Sequence, residues 1–275
     1  MKKQYFIGVI MAALLAMGSL AGCTTQESTA DQTDKAEQTE QTTQTEPVAL
    51  TVSAAASLTD VMEELAAQYE TEHPEVDISF TFGGSGALQA QIEEGAPVDL
   101  FFSAAESNMD ALEEQGLIDS ATRKDMLQNE IVLIAPAGET KVTGFAEILD
   151  SNPRIALGEA ESVPAGKYAM QIFENLGIWD EVQKQAVFAS NVREVLAWVE
   201  TGEVDCGVVY ATDAKTSDKI QVICAAPDDA PQVLYPAAVV QSSTNPEQAQ
   251  AFLDYLCSEE AKEAFTSYGF TCIAQ

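Results

Sequence analysis

Two serines stand where a strand-like run gives way to a helical pattern. In Val52-Ser53-Ala54-Ala55-Ala56-Ser57-Leu58-Thr59-Asp60, Ser57 lies between the strand and the first helix, with Asp60 three residues on as in a variant capping box. In Phe82-Gly83-Gly84-Ser85-Gly86-Ala87-Leu88 the junction recurs: Ser85 offers a hydroxyl donor, and the glycines let backbone approach an anion closely. A helix that starts at such a junction directs unsatisfied amide N–H groups outward. Each serine alone also reads as a plain N-cap. Two of them on parallel strands of one lobe make a stronger case for anion binding than either alone.

The second half of the chain repeats the pattern. Val163-Pro164-Ala165-Gly166-Lys167-Tyr168 enters a helix through Pro and Gly, and Ser190-Asn191-Val192-Arg193-Glu194 enters another, with Asn191 placed as N-cap and Glu194 three residues later. Both junctions would expose backbone N–H groups, at Ala165 and Val192. Tyr210, at the end of the apolar run Cys206-Gly207-Val208-Val209, is placed to turn its hydroxyl into the same cleft, although a strand-end tyrosine with a solvated tip would look the same.

Hydrolytic chemistry fits less well. Gly83-Gly84-Ser85-Gly86-Ala87 comes near a nucleophile elbow, but Ala87 replaces the last glycine. The single histidine, His73 in Glu72-His73-Pro74, falls in a loop on the side opposite the strand C-termini, so a Ser-His-acid triad is not expected. One histidine and no closely spaced cysteine pair also leave no usual zinc site. Binders of carboxylates need a fixed cation, typically Arg. Arg193 is the only arginine near a junction; it reads as turned to solvent or to a neighbouring acid, with a ligand role left open.

These residues require elements to position them. Ala49 to Val52 reads as a strand, Leu58 to Glu70 as a helix, Val76 to Phe82 as a strand, Ala87 to Glu93 as a helix and Val98 to Phe102 as a buried strand. That order, βαβαβ, predicts a parallel sheet covered on both faces. Alternation continues to Ala237–Val240, and the chain ends in helices over Pro246–Leu256 and Glu259–Tyr268. The apolar runs Glu130–Ala135 and Tyr235–Val240 read as places where the chain crosses between lobes. The expected organisation is therefore a discontinuous first lobe, 48–129 plus 237–275, and a second lobe, 130–236. Ligands of such sheets collect beyond the strand C-termini, here in the interlobe cleft.

Lys2 and Lys3, the apolar run from Tyr5 to Leu15 and the sequence Leu20-Ala21-Gly22-Cys23 follow the order of a secretory signal peptide. Its end resembles the bacterial lipobox, which predicts a signal peptide over 1–22 and a lipidated Cys23. Residues 23–47 are nearly all Thr, Gln, Glu, Asp and Ser, too polar to bury a core, and read as a disordered tether. The net charge is −31, of which −28 falls after residue 47, so nucleic acid is excluded as a partner. An anionic ligand is not, because exposed charge is screened over roughly 8 to 10 Å while helix N-termini act locally. Among the other cysteines, Cys206 and Cys224 read as buried free thiols, and Cys257 with Cys272 as a possible staple of the C-terminal helices.

Ala54-Ala55-Ala56-Ser57-Leu58-Thr59, Gln91-Ile92-Glu93-Glu94-Gly95-Ala96-Pro97-Val98-Asp99-Leu100-Phe101, Val163-Pro164-Ala165-Gly166, Gly207-Val208-Val209-Tyr210 and Tyr268-Gly269-Phe270 together resemble the molybdate-binding proteins of ABC transporters. The similarity runs in the same order from Val48 to Gly269. It departs at Gly83–Gly86, where many relatives carry a serine-rich stretch; Ser85 still matches.

The resemblance implies an α/β fold of the type II periplasmic-binding-protein kind, each lobe a mostly parallel sheet flanked by helices. It implies a non-enzymatic binder of molybdate or tungstate, with another tetrahedral oxyanion such as sulfate as the alternative. Ser57, Ser85, Ala165, Val192 and Tyr210 would hold the oxyanion, with no cofactor and no residue acting as a direct metal ligand. A shell offering only donors rejects protonated anions, since an O–H would meet no acceptor. Further implications are closure about a hinge, delivery to a membrane permease with its ATPase, a monomeric state, and an extracytoplasmic location on the bacterial cell membrane through the lipid anchor.

Overall fold

A computed structural model describes residues 47–273. The expected signal peptide, Cys23 and the tether up to residue 46 lie outside them. β1 (Val48–Ala55) passes through a 3-10 turn at Ala56–Leu58 into α1 (Thr59–Glu72), followed by β2 (Val76–Gly83), α2 (Ser85–Glu93), β3 (Leu100–Phe102), α3 (Glu106–Glu114) and β4 (Lys124–Asn129). Glu130 separates β4 from β5 (Ile131–Pro136). The chain continues through β6 (Ile155–Gly158), α4 (Pro164–Asn175), α5 (Trp179–Gln185), β7 (Ala186–Ala189), α6 (Val192–Glu200), β8 (Cys206–Tyr210), α7 (Ala211–Ala214) and β9 (Ile220–Ala225). It closes with β10 (Val233–Val239), α8 (Pro246–Leu256), α9 (Glu259–Tyr268) and β11 (Thr271–Cys272). Among the described residues no helix is long and apolar enough to cross a membrane.

The strands form two sheets, ordered β11-β4-β10-β3-β1-β2 and β7-β6-β8-β5-β9. Both are mixed. In the first, β1 pairs in parallel with β2 and β3, while β10, β4 and β11 add antiparallel partners. In the second, β6 pairs in parallel with β7 and β8, and β5 runs antiparallel to β8 and β9. Parallel neighbours need a crossover, usually helical. The parallel part of each sheet is therefore where strand C-termini turn into helix N-termini.

The chain passes between the sheets twice, at Glu130 and between Ala225 and Val233. The run from Tyr235 is consequently a strand inside the first sheet and not a crossing. Its proline obscures this in the sequence: a central strand tolerates Pro at an irregularity, and the β10–β4 register shifts between Tyr235 and Pro236.

Period-two alternation sorts side chains to the faces of the first sheet. Leu100 and Phe102 of β3, with Ala237 and Val239 of β10, join a core that includes Val61, Met62, Leu65, Ala66 and Tyr69 of α1 and Phe252, Leu253 and Leu256 of α8. Phe101, Ala238 and Val240 face the other way, onto Leu88 and Ile92 of α2 and Met109 and Leu112 of α3. Each fully buried Leu or Phe contributes about 1.5–3 kcal/mol, so both faces anchor the helices whose N-termini build the site. The four described cysteines are free, and the expected Cys257–Cys272 staple is not formed. Cys257 lies beside Lys124 Nζ, whereas Cys272 faces Thr266 and the Lys262 carbonyl. Cys206 is buried, which pushes its thiol up to about 12. Cys224 is half-buried on β9, an edge strand, more open than its apolar run suggests.

Candidate functional site

Ser57, Ser85, Ala165, Val192 and Tyr210 all line one tight cleft, with ≈ 190 Å³ of empty space counting what opens to solvent, together with Ala55, Ala56, Gly83, Gly84, Ala104, Val163 and Pro164. Open grooves elsewhere reach ≈ 640 Å³ or more, so this space suits a ligand of few atoms. Among the described residues no charged side chain lines it. Ser57 and Ser85 come from the first sheet's strand-to-helix turns; Ala165, Val192 and Tyr210 come from the second. Ser85 and Val192 are the first residues of α2 and α6, and Ala165 is the second of α4. At those positions an N–H has no partner within its own helix, and the helix dipole adds a positive end.

Neither serine is a cap. The N-caps of α1 and α2 are Leu58 and Gly84, without side-chain hydrogen bonds. Ser57 Oγ lies 2.9 Å from the Tyr235 hydroxyl, and Ser85 Oγ accepts the Ala104 N–H at 2.9 Å. The expected capping role of Asp60 is lost with that of Ser57. Asn191 does cap α6: its side chain accepts the Glu194 N–H at 3.0 Å, while Glu194 accepts the Ser190 N–H at 2.8 Å. Tyr210 is 1 % exposed, and its hydroxyl makes no hydrogen bond to protein. Burial, reinforced by Tyr235, pushes its phenol well above the usual range, so it remains a neutral donor. An unpartnered buried hydroxyl is costly unless something else satisfies it.

Contacts between the two halves close over this cavity. Gly86 N donates to Ser162 O at 2.9 Å. A Cβ at Gly86 would come within 2.8 Å of Ser162 Cα, and one at Gly84 within 2.6 Å of Ser162 O. The glycines therefore serve the approach of the opposite half as much as that of an anion. Lys167 Nζ reaches Ser107 Oγ at 3.1 Å.

Arg193 does not line the cavity. Its Nη2 binds Asp60 Oδ2 at 2.6 Å and its Nε lies 2.6 Å from Asp213 Oδ1, an ion pair whose angle falls short of a hydrogen bond. Asp213 is completely buried and accepts the Tyr210 N–H at 3.3 Å through Oδ2. Burial raises its carboxyl to about 6 despite Arg193. Arg193 thus spans the halves from α6 to α1, and the ligand role left open for it has no geometric support.

His73 caps the C-terminal end of α1, stacked on Tyr69 and 3.3 Å from Glu75. Ser57 precedes the other end of that 14-residue helix, roughly 21 Å away. Among the described residues no Ser-His pair exists. Asn129, Tyr235 and Asp213 behind the cavity, and Ala104 in its wall, were not read from the sequence as residues of the site. Asn129 carried one signal, its place beside the first crossing, but nothing in its neighbours specifies its partners.

The model of a family described as bacterial extracellular solute-binding protein matches residues 50–271. The chain is 41 % identical over 273 residues to a Bacillus subtilis (strain 168) protein assigned as an ABC transporter substrate-binding lipoprotein, YvgL, covering 98 % of this chain and 99 % of that one. It is 40 % identical over 230 residues to the molybdate-binding protein ModA of Escherichia coli (strain K12), covering 81 % and 88 %. Among solved structures, the substrate-binding domain of a protein assigned as a molybdenum ABC transporter from Clostridium difficile superposes with a TM-score of 0.62. It is 40 % identical and matches 82 % of this chain and 99 % of that one.

Proposed function

This chain belongs to the bacterial extracellular solute-binding protein family, and from that premise we propose that it captures molybdate outside the cytoplasm for an ABC importer. The observation that carries the reading is a cavity walled by uncharged groups in which three hydroxyls, those of Ser57, Ser85 and Tyr210, converge with the N-terminal ends of α4 and α6. The names of the relatives, molybdate-binding protein and molybdenum ABC transporter, support the choice of ion.

Hydrogen bonds to an ionised acceptor are worth about 1.5–3 kcal/mol each, so five converging donors hold a desolvated dianion without a counter-charge. In this reading Ser57 Oγ, Ser85 Oγ, Tyr210 OH, Ala165 N and Val192 N are the ligand groups. The halves, with the second boundary moved from 236/237 to the start of β10, are 48–129 plus 233–275 and 130–232, and they move as lobes about the crossings at Glu130 and between Ala225 and Val233. Closure completes the shell, and the loaded form docks on a permease whose ATPase drives uptake. Tungstate, of the same charge and shape, binds at the same groups. The protein acts as a monomer and performs no catalysis, and it is held at the membrane by lipid on Cys23, a reading that the lipoprotein name of the Bacillus relative supports.

Isothermal titration with molybdate, tungstate, sulfate and phosphate tests this. One-to-one binding of molybdate and tungstate, with phosphate silent, is the expected result. Tyr210→Phe is expected to weaken molybdate by roughly tenfold. Binding of none of the four, or a Tyr210→Phe protein indistinguishable from wild type, would sink the assignment.

A further inference from the structure

Ser57 does not stand alone behind the cavity. Its Oγ is 2.9 Å from the Tyr235 hydroxyl, and Asn129 Nδ2 donates to that hydroxyl at 3.2 Å and to Thr212 Oγ1 at 2.9 Å. The orientation of the Asn129 amide is fixed from its other end, because its Oδ1 accepts the Glu130 N–H at 2.9 Å. Turning the amide over would set N–H against N–H. Tyr235 is fully buried, and burial keeps its phenol protonated.

The proton directions in this chain follow from donor and acceptor capacity. The Tyr235 oxygen accepts from Asn129, so its own hydrogen must find another acceptor. Among the described residues Ser57 Oγ is the group within hydrogen-bond geometry that has a lone pair to offer; the Tyr210 hydroxyl approaches Tyr235 but does not meet that geometry. Tyr235 therefore donates to Ser57, and the Ser57 hydrogen is the one left to point into the cavity. Ser85 is oriented the same way by a simpler device, the Ala104 backbone N–H at 2.9 Å. One serine is polarised by backbone, the other by two side chains.

We propose that Asn129 and Tyr235 are specificity-determining positioning residues: together they hold Ser57 as a donor and deny a protonated oxyanion the acceptor it would need. This rests on the oxyanion reading of the cavity. Without Tyr235 the Ser57 hydroxyl turns freely and offers a lone pair to an X–OH group as readily as a hydrogen to X–O⁻. The placement also ties the serine to the first crossing. Asn129 ends β4 immediately before Glu130, and Thr212 lies on α7, which directly follows β8 of the second sheet.

The test compares the full chain with Tyr235→Phe, Asn129→Ser and Ser57→Ala. Molybdate affinity is measured by titration, and sulfate and phosphate by displacement of molybdate at pH 7. Sulfate and phosphate are close in size, and only phosphate carries a proton there, so the sulfate-to-phosphate ratio reports donor polarity separately from fit. Tyr235→Phe keeps the ring that packs edge-on against Tyr210 and Phe270. It is expected to weaken molybdate by no more than about tenfold, because Ser57 keeps its hydrogen and loses only its fixed orientation, and to narrow the sulfate-to-phosphate ratio by roughly threefold or more, since the remaining donor-only groups still disfavour phosphate. Asn129→Ser narrows the ratio in the same direction and serves if Tyr235→Phe does not fold. Ser57→Ala weakens molybdate and sulfate and narrows the ratio less than Tyr235→Phe does, because alanine removes a donor without supplying an acceptor. An unchanged ratio in folded Tyr235→Phe or Asn129→Ser overturns the inference alone. A wild type that binds none of the three anions overturns the oxyanion reading and this inference with it.

Discussion

The cavity and the cluster beside it use opposite chemistry. The cavity is walled by hydroxyls, helix N-termini and small apolar side chains, with no formal charge. The cluster made by Asp60, Arg193 and Asp213 contains full charges of both signs, one of them on a completely buried carboxylate. In a folded part carrying −28, a cation would be the obvious lure for an anion, yet Arg193, next to the cavity residue Val192, is spent on two aspartates, Asp60 across the cleft and Asp213 in its own half. Charge here joins the two halves, and neutral donors face the ligand. A fixed cation would also attract monoanions and leave selectivity to size alone, whereas an all-donor shell discriminates by protonation.

The comparison breaks first at the cavity. Ser57→Ala combined with Ser85→Ala removes two charge-assisted bonds and is expected to weaken molybdate by about a hundredfold or more, read by titration; a double variant within tenfold of wild type would leave the donors without a role.

The cluster gives a different signature. Arg193→Ala leaves Asp213 buried without its counter-charge. It should lower stability by about 3 kcal/mol, the low end for breaking a buried pair because Asp213 can take up a proton, while reducing molybdate affinity only about threefold through the lost Asp60 contact. Denaturant unfolding and titration of the same sample separate the two, and a loss of binding far exceeding the loss of stability would return Arg193 to the ligand.

A smaller effect sharpens the electrostatics. Asp213 titrates from about 3.9 in an unfolded chain to about 6 in the fold. A raised carboxyl favours the folded state fully below the lower value, and that advantage is lost as pH rises through the higher one. Between pH 4 and 6, stability of the wild type should therefore fall relative to Asp213→Asn as pH rises, measured as the difference between their melting curves. A flat difference would contradict the raised value. The smallest effect concerns the exterior: with net negative charge repelling the ligand, the association rate should rise with added salt, by less than about threefold between 10 and 150 mM. Stopped-flow fluorescence checks the sign.

Much of this was legible in the sequence for a physical reason: strand-to-helix junctions are local. Ser57, Ser85, Ala165, Val192 and Tyr210 each announce themselves through neighbours within a few residues, and the structure gathers all five at one cavity. What stayed hidden depends on residues far apart in the chain. Asn129 meets Tyr235 across 106 positions, and Arg193 meets Asp60 across 133. The elements that escaped notice are short or polar. In β4 only Met126, Leu127 and Asn129 are buried, and α3 buries only Met109 and Leu112. The glycines at 84 and 86 were legible as close-approach residues, but whose approach they permit was not.

The most direct measurement is a crystal structure with molybdate, located by the anomalous scattering of molybdenum. A single site within hydrogen-bonding reach of Ser57 Oγ, Ser85 Oγ, Tyr210 OH, Ala165 N and Val192 N is the expected result. Molybdenum bound beside Arg193, or found only on the exposed surface, would contradict the division between a neutral binding cavity and a charged clamp.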